Sequence, residues 1–340
     1  MIVFASNSTG WDDQSNALVP GGMVDAYIAP ILEHLPDGSY LVDRQPHPGA
    51  LNVYLAVRSR YNAGHREIGK AGVQISHGIA DKSYRTAPRA RSYDHVVVPG
   101  PALARRIIAS GVPARKVVQL GYPKLDPLFQ GRIGAPARDG RVRVVYAPTH
   151  GGGSEKYTDG NRHAPGARAT SWWHRDQIMD LLNHDDLDVV TAWHPRHRPD
   201  RRATLSEYVG ADVVVADGGS TIYEALVLGI PVVLPSWLTR ARNLQRDGGR
   251  TLEARVYRDR IGYHATAPEQ FADLVRRAAE HGQTDQDRAF AEEVLPTEVR
   301  GRGGQLHAEW LLRLDEEIPD DTRPPARRHA PAARRARTGR

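Results

Sequence analysis

Short runs of Val, Ile and Leu alternate along this 340-residue chain with longer stretches whose apolar positions recur at helical spacing. That alternation predicts parallel sheets joined by crossover helices, an α/β fold. In the first half, the apolar runs predict strands at Ile2–Ala5, Tyr40–Val42, Gly72–Ser76, His95–Val98 and Val117–Leu120. Helices are expected at Val24–Leu35 and Pro101–Ser110, the second opened by Pro101 and closed by Gly111. The pattern restarts at Val142–Tyr146, with further strands at Asp188–Ala192, Asp212–Ala216 and Pro231–Leu234. Helical spacing recurs near Gln177–Asn183, Asp200–Tyr208, Thr221–Leu228, Pro268–Glu280 and Gln305–Leu314.

Between the two series lies Pro127–Gly140, rich in Gly, Pro and Arg, which reads as a linker. The expected organisation is an N-terminal domain over 1–130, a C-terminal domain over 131–317 and a tail over 318–340. Two doubly wound, Rossmann-like halves of similar size would face a central cleft. In such sheets ligands sit beyond the carboxyl ends of the strands, so motifs there carry most weight.

Composition narrows the chemistry. The chain has no cysteine, which removes disulfides, thiolate metal sites and cysteine nucleophiles. No apolar run is long enough to span a bilayer, and MIVFASNSTGW reads as a first buried strand rather than a signal peptide. A cytoplasmic protein is expected. The net charge of +6 is local: Thr322–Arg340 carries seven Arg and no acid, so the preceding chain sits near −1. This Pro/Ala/Arg tail is expected to be disordered, serving either as a solubilising segment or as an attachment to an anionic membrane surface or nucleic acid.

Four segments carry candidate chemistry. In Ala211–Pro235 a buried strand runs into Asp217, Gly218 and Gly219, and Ser220 and Thr221 then open a helix. Unpaired N–H groups and the positive end of the dipole suit a diphosphate there, and Glu224, one turn on, could accept from ribose hydroxyls. A plain capped helix is the alternative. In TAWHPRHR, His194 falls at a strand's carboxyl edge with Arg196 and Arg198 beyond it, facing phosphates or forming a solvated basic turn. In QISHGIADK, His77 follows an apolar strand and could take a proton from an incoming hydroxyl, or merely bond the loop. In VVYAPTHGG a strand runs into Thr149, His150 and a long glycine-rich loop ending near Trp172 and Trp173, which either stack on a sugar or base or anchor the loop. No metal constellation has recognisable spacing. There is no P-loop, no GxSxG elbow and no dinucleotide fingerprint after the first strand.

Taken in order, His77-Gly78 with Lys82, GYPKLD at Gly121–Asp126, YAPT at Tyr146–Thr149, His194-Pro195 and the Asp217–Ser220 turn resemble the CDP-glycerol glycerophosphotransferases of teichoic-acid synthesis, within the GT-B glycosyltransferase architecture. The resemblance covers about Gly72 to Pro235. It implies a donor nucleotide in the C-terminal half and a glycan, polyol or lipid-linked acceptor in the N-terminal half. His77 would be the catalytic base, His194 a support for the donor phosphates, and Ser220 and Thr221 the phosphate-contacting turn. Thr149, His150, Arg196, Gly218, Gly219 and Glu224 complete the expected donor site. No metal or other cofactor is implied. Two departures stand out: Ile79 where a Thr is usual, and DGGST in place of an Asp-Tyr-Ser-Ser turn. With Glu224 this turn is similar to that of UDP-GlcNAc 2-epimerases, so an NDP-sugar competes with CDP-glycerol as donor. The alternatives are an epimerase using carboxylates such as Asp12, Asp13 and Asp81, a glycosyltransferase acting on modified nucleic acid, and a binding protein without turnover.

Overall fold

A computed structural model describes residues 1–6, 11–12, 17–55, 70–75, 78–80, 90–149, 171–198, 200–239, 244 and 246–319. In chain order the first unit holds β1 (Ile2–Ala5), a small antiparallel hairpin of β2 (Trp11–Asp12) and β3 (Ala17–Leu18), α1 (Asp25–Leu32), β4 (Tyr40–Asp43), β5 (Leu51–Tyr54), β6 (Ala71–Gln74), β7 (His95–Val98), α2 (Pro101–Ala109) and β8 (Val117–Gln119). A one-turn helix, α3 (Asp126–Phe129), leads out of it. The second unit holds β9 (Val142–Tyr146), α4 (Arg175–Leu181), β10 (Leu187–Thr191), β11 (Val213–Val215), α5 (Ser220–Val227), β12 (Val232–Pro235), α6 (Leu252–Arg258), β13 (Tyr263–Ala265), α7 (Phe271–His281) and α8 (Asp285–Val294). The last helix is α9 (Gly303–Glu317).

The first sheet is six-stranded and parallel, in the order β4-β1-β5-β6-β7-β8, and the second is five-stranded and parallel, in the order β10-β9-β11-β12-β13. Both sheets are doubly wound, because the chain starts inside each sheet and builds outward in both directions. Their central strands, β5, β6, β11 and β12, are buried on both faces, as parallel strands under helices must be. In the second sheet Val144, Tyr146, Val213, Val215 and Val233 pack with Ile178 of α4 and Phe271 and Val275 of α7. The alternate residues Val145, Val214, Val232 and Leu234 join a larger core that runs continuously into the first unit.

Two features of the fold differ from what the sequence alone suggests. Residues 200–208 form no α-helix: only Ser206–Tyr208 makes a 3-10 turn. Arg201 has a φ of 51°, Ala203 N–H donates to Gly21 O at 2.8 Å, and Gly22 bridges Arg202, so contact with the first unit overrides local helical spacing. The last helix, expected within residues 131–317, packs on α1 of the first unit. Glycines make that contact possible, since a side chain at Gly304 would collide with Pro30 O. Asp126 accepts from Gly303 N–H at 3.1 Å and Gly304 N–H at 2.6 Å, satisfying two of the helix's orphan donors. No described helix is long and apolar enough to cross a membrane. The arginine-rich stretch 320–340 lies outside the described residues.

Candidate functional site

β9 is the first strand of the second sheet, with β10 on one side and β11 on the other, so the crevice of this sheet opens beside β9. Register fixes what lies there. Thr191, Tyr146 and Val215 are level across the three strands. Three residues further along each chain come His194, Thr149 and Gly218, so three of the motifs read from the sequence emerge together at the carboxyl edge. Thr149 Oγ1 donates to Gly218 O at 2.6 Å, closing the β9–β11 side of the crevice.

The turn after β11 is shaped for approach. Gly219 has a φ of 82°, a left-handed value that favours glycine, and it sets the start of α5 at Ser220. Among the described residues no side chain caps this helix, so its first N–H groups keep their capacity for an anion. The first unit faces the same spot: a methyl group at Gly78 would stand 2.9 Å from Ser220 Oγ. His77 adjoins Gly78 in sequence and lies outside the described residues, as do His150 and Lys82. Arg196 sits in a 3-10 turn, Pro195–His197, after the half-buried His194.

Asp217 organises the loop ends. Its carboxylate accepts from Thr149 N–H at 2.8 Å and from Ser171 N–H, so the residues on either side of the stretch 150–170 are both held at the turn after β11. Tyr146 OH donates to Ser171 O at 2.9 Å. Trp172 stacks on His197 with centroids 3.9 Å apart, meets Trp193 edge-on and lies under the Arg175 guanidinium. Of the two roles open to Trp172, packing as a loop anchor is the one seen.

No protein-family model matches the chain, and no curated protein matches its sequence. Solved structures do. A variant of the wall teichoic acid polymerase TagF aligns over 93% of this chain and 89% of its own, with 14% identity and a TM-score of 0.59. A TagF structure soaked with CDPG gives 15% identity over the same shares and a TM-score of 0.58. UDP-GlcNAc 2-epimerase from Neisseria meningitidis, bound to UDP-GlcNAc, aligns over 92% of this chain and 99% of its own, with 12% identity and a TM-score of 0.51. The chain has the GT-B fold. The alignments run through both units, so the likeness of fold extends well beyond Gly72–Pro235.

Within this GT-B frame, one expected donor contact is engaged elsewhere. Glu224 is 2% exposed and accepts from Tyr122 OH at 2.9 Å and Lys124 Nζ at 2.8 Å on one oxygen, and from Tyr208 OH at 2.9 Å on the other. The physical reason is position along α5: Ser220 opens the helix at the cleft, and one turn deeper the same face meets GYPKLD, which crosses from the first unit. Thr221, next to Ser220 in the first turn of α5, is half-buried. Burial, with Glu224 adding to it, holds both the Tyr122 and Tyr208 hydroxyls far above the ordinary tyrosine range, so they stay neutral donors. Sequence reading missed the partners of this cluster because Tyr122, Lys124 and Tyr208 are 16 to 102 residues from Glu224. It also missed Glu253, in the first turn of α6, whose only local signal is an acid placed two residues after the capping Thr251. A methyl group at Gly218 would stand 3.0 Å from Glu253 Oε1. Among the described residues no group of three His, Asp or Glu could hold a metal ion.

Proposed function

We propose that the chain is a transferase that moves a glycerophosphate or glycosyl group from a nucleotide-activated donor, CDP-glycerol or an NDP-sugar, to an acceptor hydroxyl. The observation that carries this reading is the uncapped start of α5 at the sheet crevice, with Gly219 at a φ of 82° and Gly78 of the opposite unit against Ser220. The diphosphate would take the N–H groups of this turn and the Ser220 hydroxyl, with His194 and Arg196 beside it. His77 would accept the proton of the acceptor hydroxyl. The acceptor oxygen then attacks the glycerol-bearing phosphorus with release of the nucleoside monophosphate, or the anomeric carbon with release of the nucleoside diphosphate. No metal or other cofactor is part of the proposal.

Titration calorimetry against CDP, CDP-glycerol, UDP, UDP-GlcNAc and a GDP-sugar tests it. One base series should bind the wild type, with Ser220→Ala and His194→Ala each weakening it about tenfold. Absence of binding in every series would remove the donor site. Conversion of UDP-GlcNAc to its epimer without any acceptor would favour the epimerase reading, which the turn sequence and the 92% alignment to the Neisseria enzyme keep in view.

The acceptor we infer is a glycan, polyol or lipid-linked hydroxyl, reached at the inner face of a membrane with the arginine tail supplying attachment. Co-sedimentation with anionic vesicles should fall sharply on removal of residues 322–340 and with added salt. Binding to DNA instead, with the same salt dependence, would transfer the tail to a nucleic-acid role.

A further inference from the structure

We propose that Glu253 binds the uncharged, hydroxyl-bearing part of the donor, and so decides which donors the site accepts. This rests on the reading of the Asp217–Ser220 turn as the donor site. Glu253 is 9% exposed, and among the described residues it has neither a hydrogen-bond nor an ion-pair partner. A largely buried carboxylate with no protein partner, its oxygens still within reach of solvent, is placed to accept hydrogen bonds from a ligand that displaces that water.

Its position is built rather than incidental. Thr251 Oγ1 caps α6 by accepting from Ala254 N–H at 3.0 Å. One helical turn beyond Glu253, Tyr257 OH donates to the Asp217 carbonyl at 3.0 Å and accepts from Thr239 Oγ1 at 2.9 Å. Tyr257 therefore fixes α6 to the turn, and Glu253 is carried to Gly218 without a bond of its own. A methyl group at Gly218 would stand 3.0 Å from Glu253 Oε1 and 3.4 Å from Thr149 Oγ1, so Gly218 leaves the space these two oxygens share.

Charge then divides the donor. The start of α5 attracts phosphate, and a carboxylate beside it repels phosphate from its own side. The phosphates belong at Ser220 and Gly78, and what meets Glu253 is neutral and donates hydrogen bonds. No two further His, Asp or Glu among the described residues join Glu253 in a metal-binding group, so hydroxyls are the fitting partners. A donor has two sources of hydroxyls: the ribose diol and the transferred glycerol or sugar.

Calorimetry on wild type, Glu253→Gln and Glu253→Ala separates them, using CDP, 2′-deoxy-CDP and CDP-glycerol, and the matching uridine set with UDP-GlcNAc. In the series that binds wild type, Glu253→Gln should weaken the hydroxylated ligand about tenfold. If ribose is the source, the loss appears with the plain diphosphate and vanishes with its 2′-deoxy form. If the transferred group is the source, the loss appears only with the full donor. Equal affinities of wild type and Glu253→Gln for every ligand overturn the assignment of Glu253 alone. Failure of wild type to bind any of the six, or the GDP-sugar, overturns the transferase reading with it. Because no internal bond is lost, Glu253→Gln should melt no lower than wild type, and a clearly lower melting temperature would assign Glu253 to the fold instead.

Discussion

At the scale of single residues, Glu224 departs from the role that spacing alone suggests. Glu224 stands one turn below the start of α5, yet its carboxylate holds Lys124, Tyr122 and Tyr208 inside the body. A buried ion pair contributes little net stability when whole, because desolvation offsets its attraction, but breaking it strands a charge. Lys124 is 8% exposed, so Glu224→Ala should cost about 3–5 kcal/mol in urea unfolding. The double variant Lys124→Met with Glu224→Gln removes both charges and should recover most of that loss. A Glu224→Ala protein as stable as wild type would contradict the buried-pair account. The same substitution was expected, from sequence, to act on ribose binding. The difference is that helix periodicity tells which face a residue shares, not how deep along the axis the neighbouring unit closes over it.

At the scale of elements, strands were the legible part. Ile2–Ala5, His95–Val98 and Val142–Tyr146 lie where the apolar runs put them, and most other read strands are offset by only one or two residues. β5 escaped notice because Asn52 interrupts its apolar run. That asparagine is 1% exposed and spends its amide on His47 O and Ala50 O, a local pairing that no periodicity announces. β13 is hidden in the same way by the buried His264. α8 was missed although Thr284 and Asp287 form a capping box, since its apolar positions are sparse. Of the candidate site, the three strand-end motifs, the glycine turn among them, were visible, because each is local. The Asp217 clamp and the Tyr257–Glu253 face of α6 were not, because both join segments that only the sheet order brings together. Nor could spacing tell that α9 crosses back. That helix is held by Asp126 at its start, and at its end by Asp315, which pairs with Lys70 Nζ at 2.6 Å and the Met1 ammonium at 2.7 Å.

At the scale of the molecule, the GT-B arrangement has a built-in dependence on protons, because each unit encloses a neutral histidine. In the second unit, His264 Nε2–H donates to Ile261 O at 2.9 Å while Nδ1 accepts from Ser236 Oγ at 2.9 Å. Against the first unit, His307 Nδ1–H donates to Gly303 O at 2.7 Å, with Tyr27 OH 3.4 Å from Nε2. Burial pulls both down to about 4 from 6.5. The unfolded chain therefore binds these protons at a higher pH than the folded one. Stability from this source is complete above the unfolded value and is lost as pH falls toward the folded one, by up to about 3 kcal/mol for each ring. Asp126 works the other way. Burial raises it to about 6 from 3.8, so the folded state holds a proton that the unfolded state has released, and its contribution declines as pH rises through that window. Two histidines outweigh one aspartate, so the urea midpoint should drop between about pH 6.5 and about pH 4.5, above the range where most carboxylates titrate. Asp126→Asn, which removes the opposing contribution, should steepen that drop, and His307→Gln should flatten it. A midpoint that holds level or rises on acidification across this window would mean that the two rings are not the enclosed, neutral groups they are taken to be.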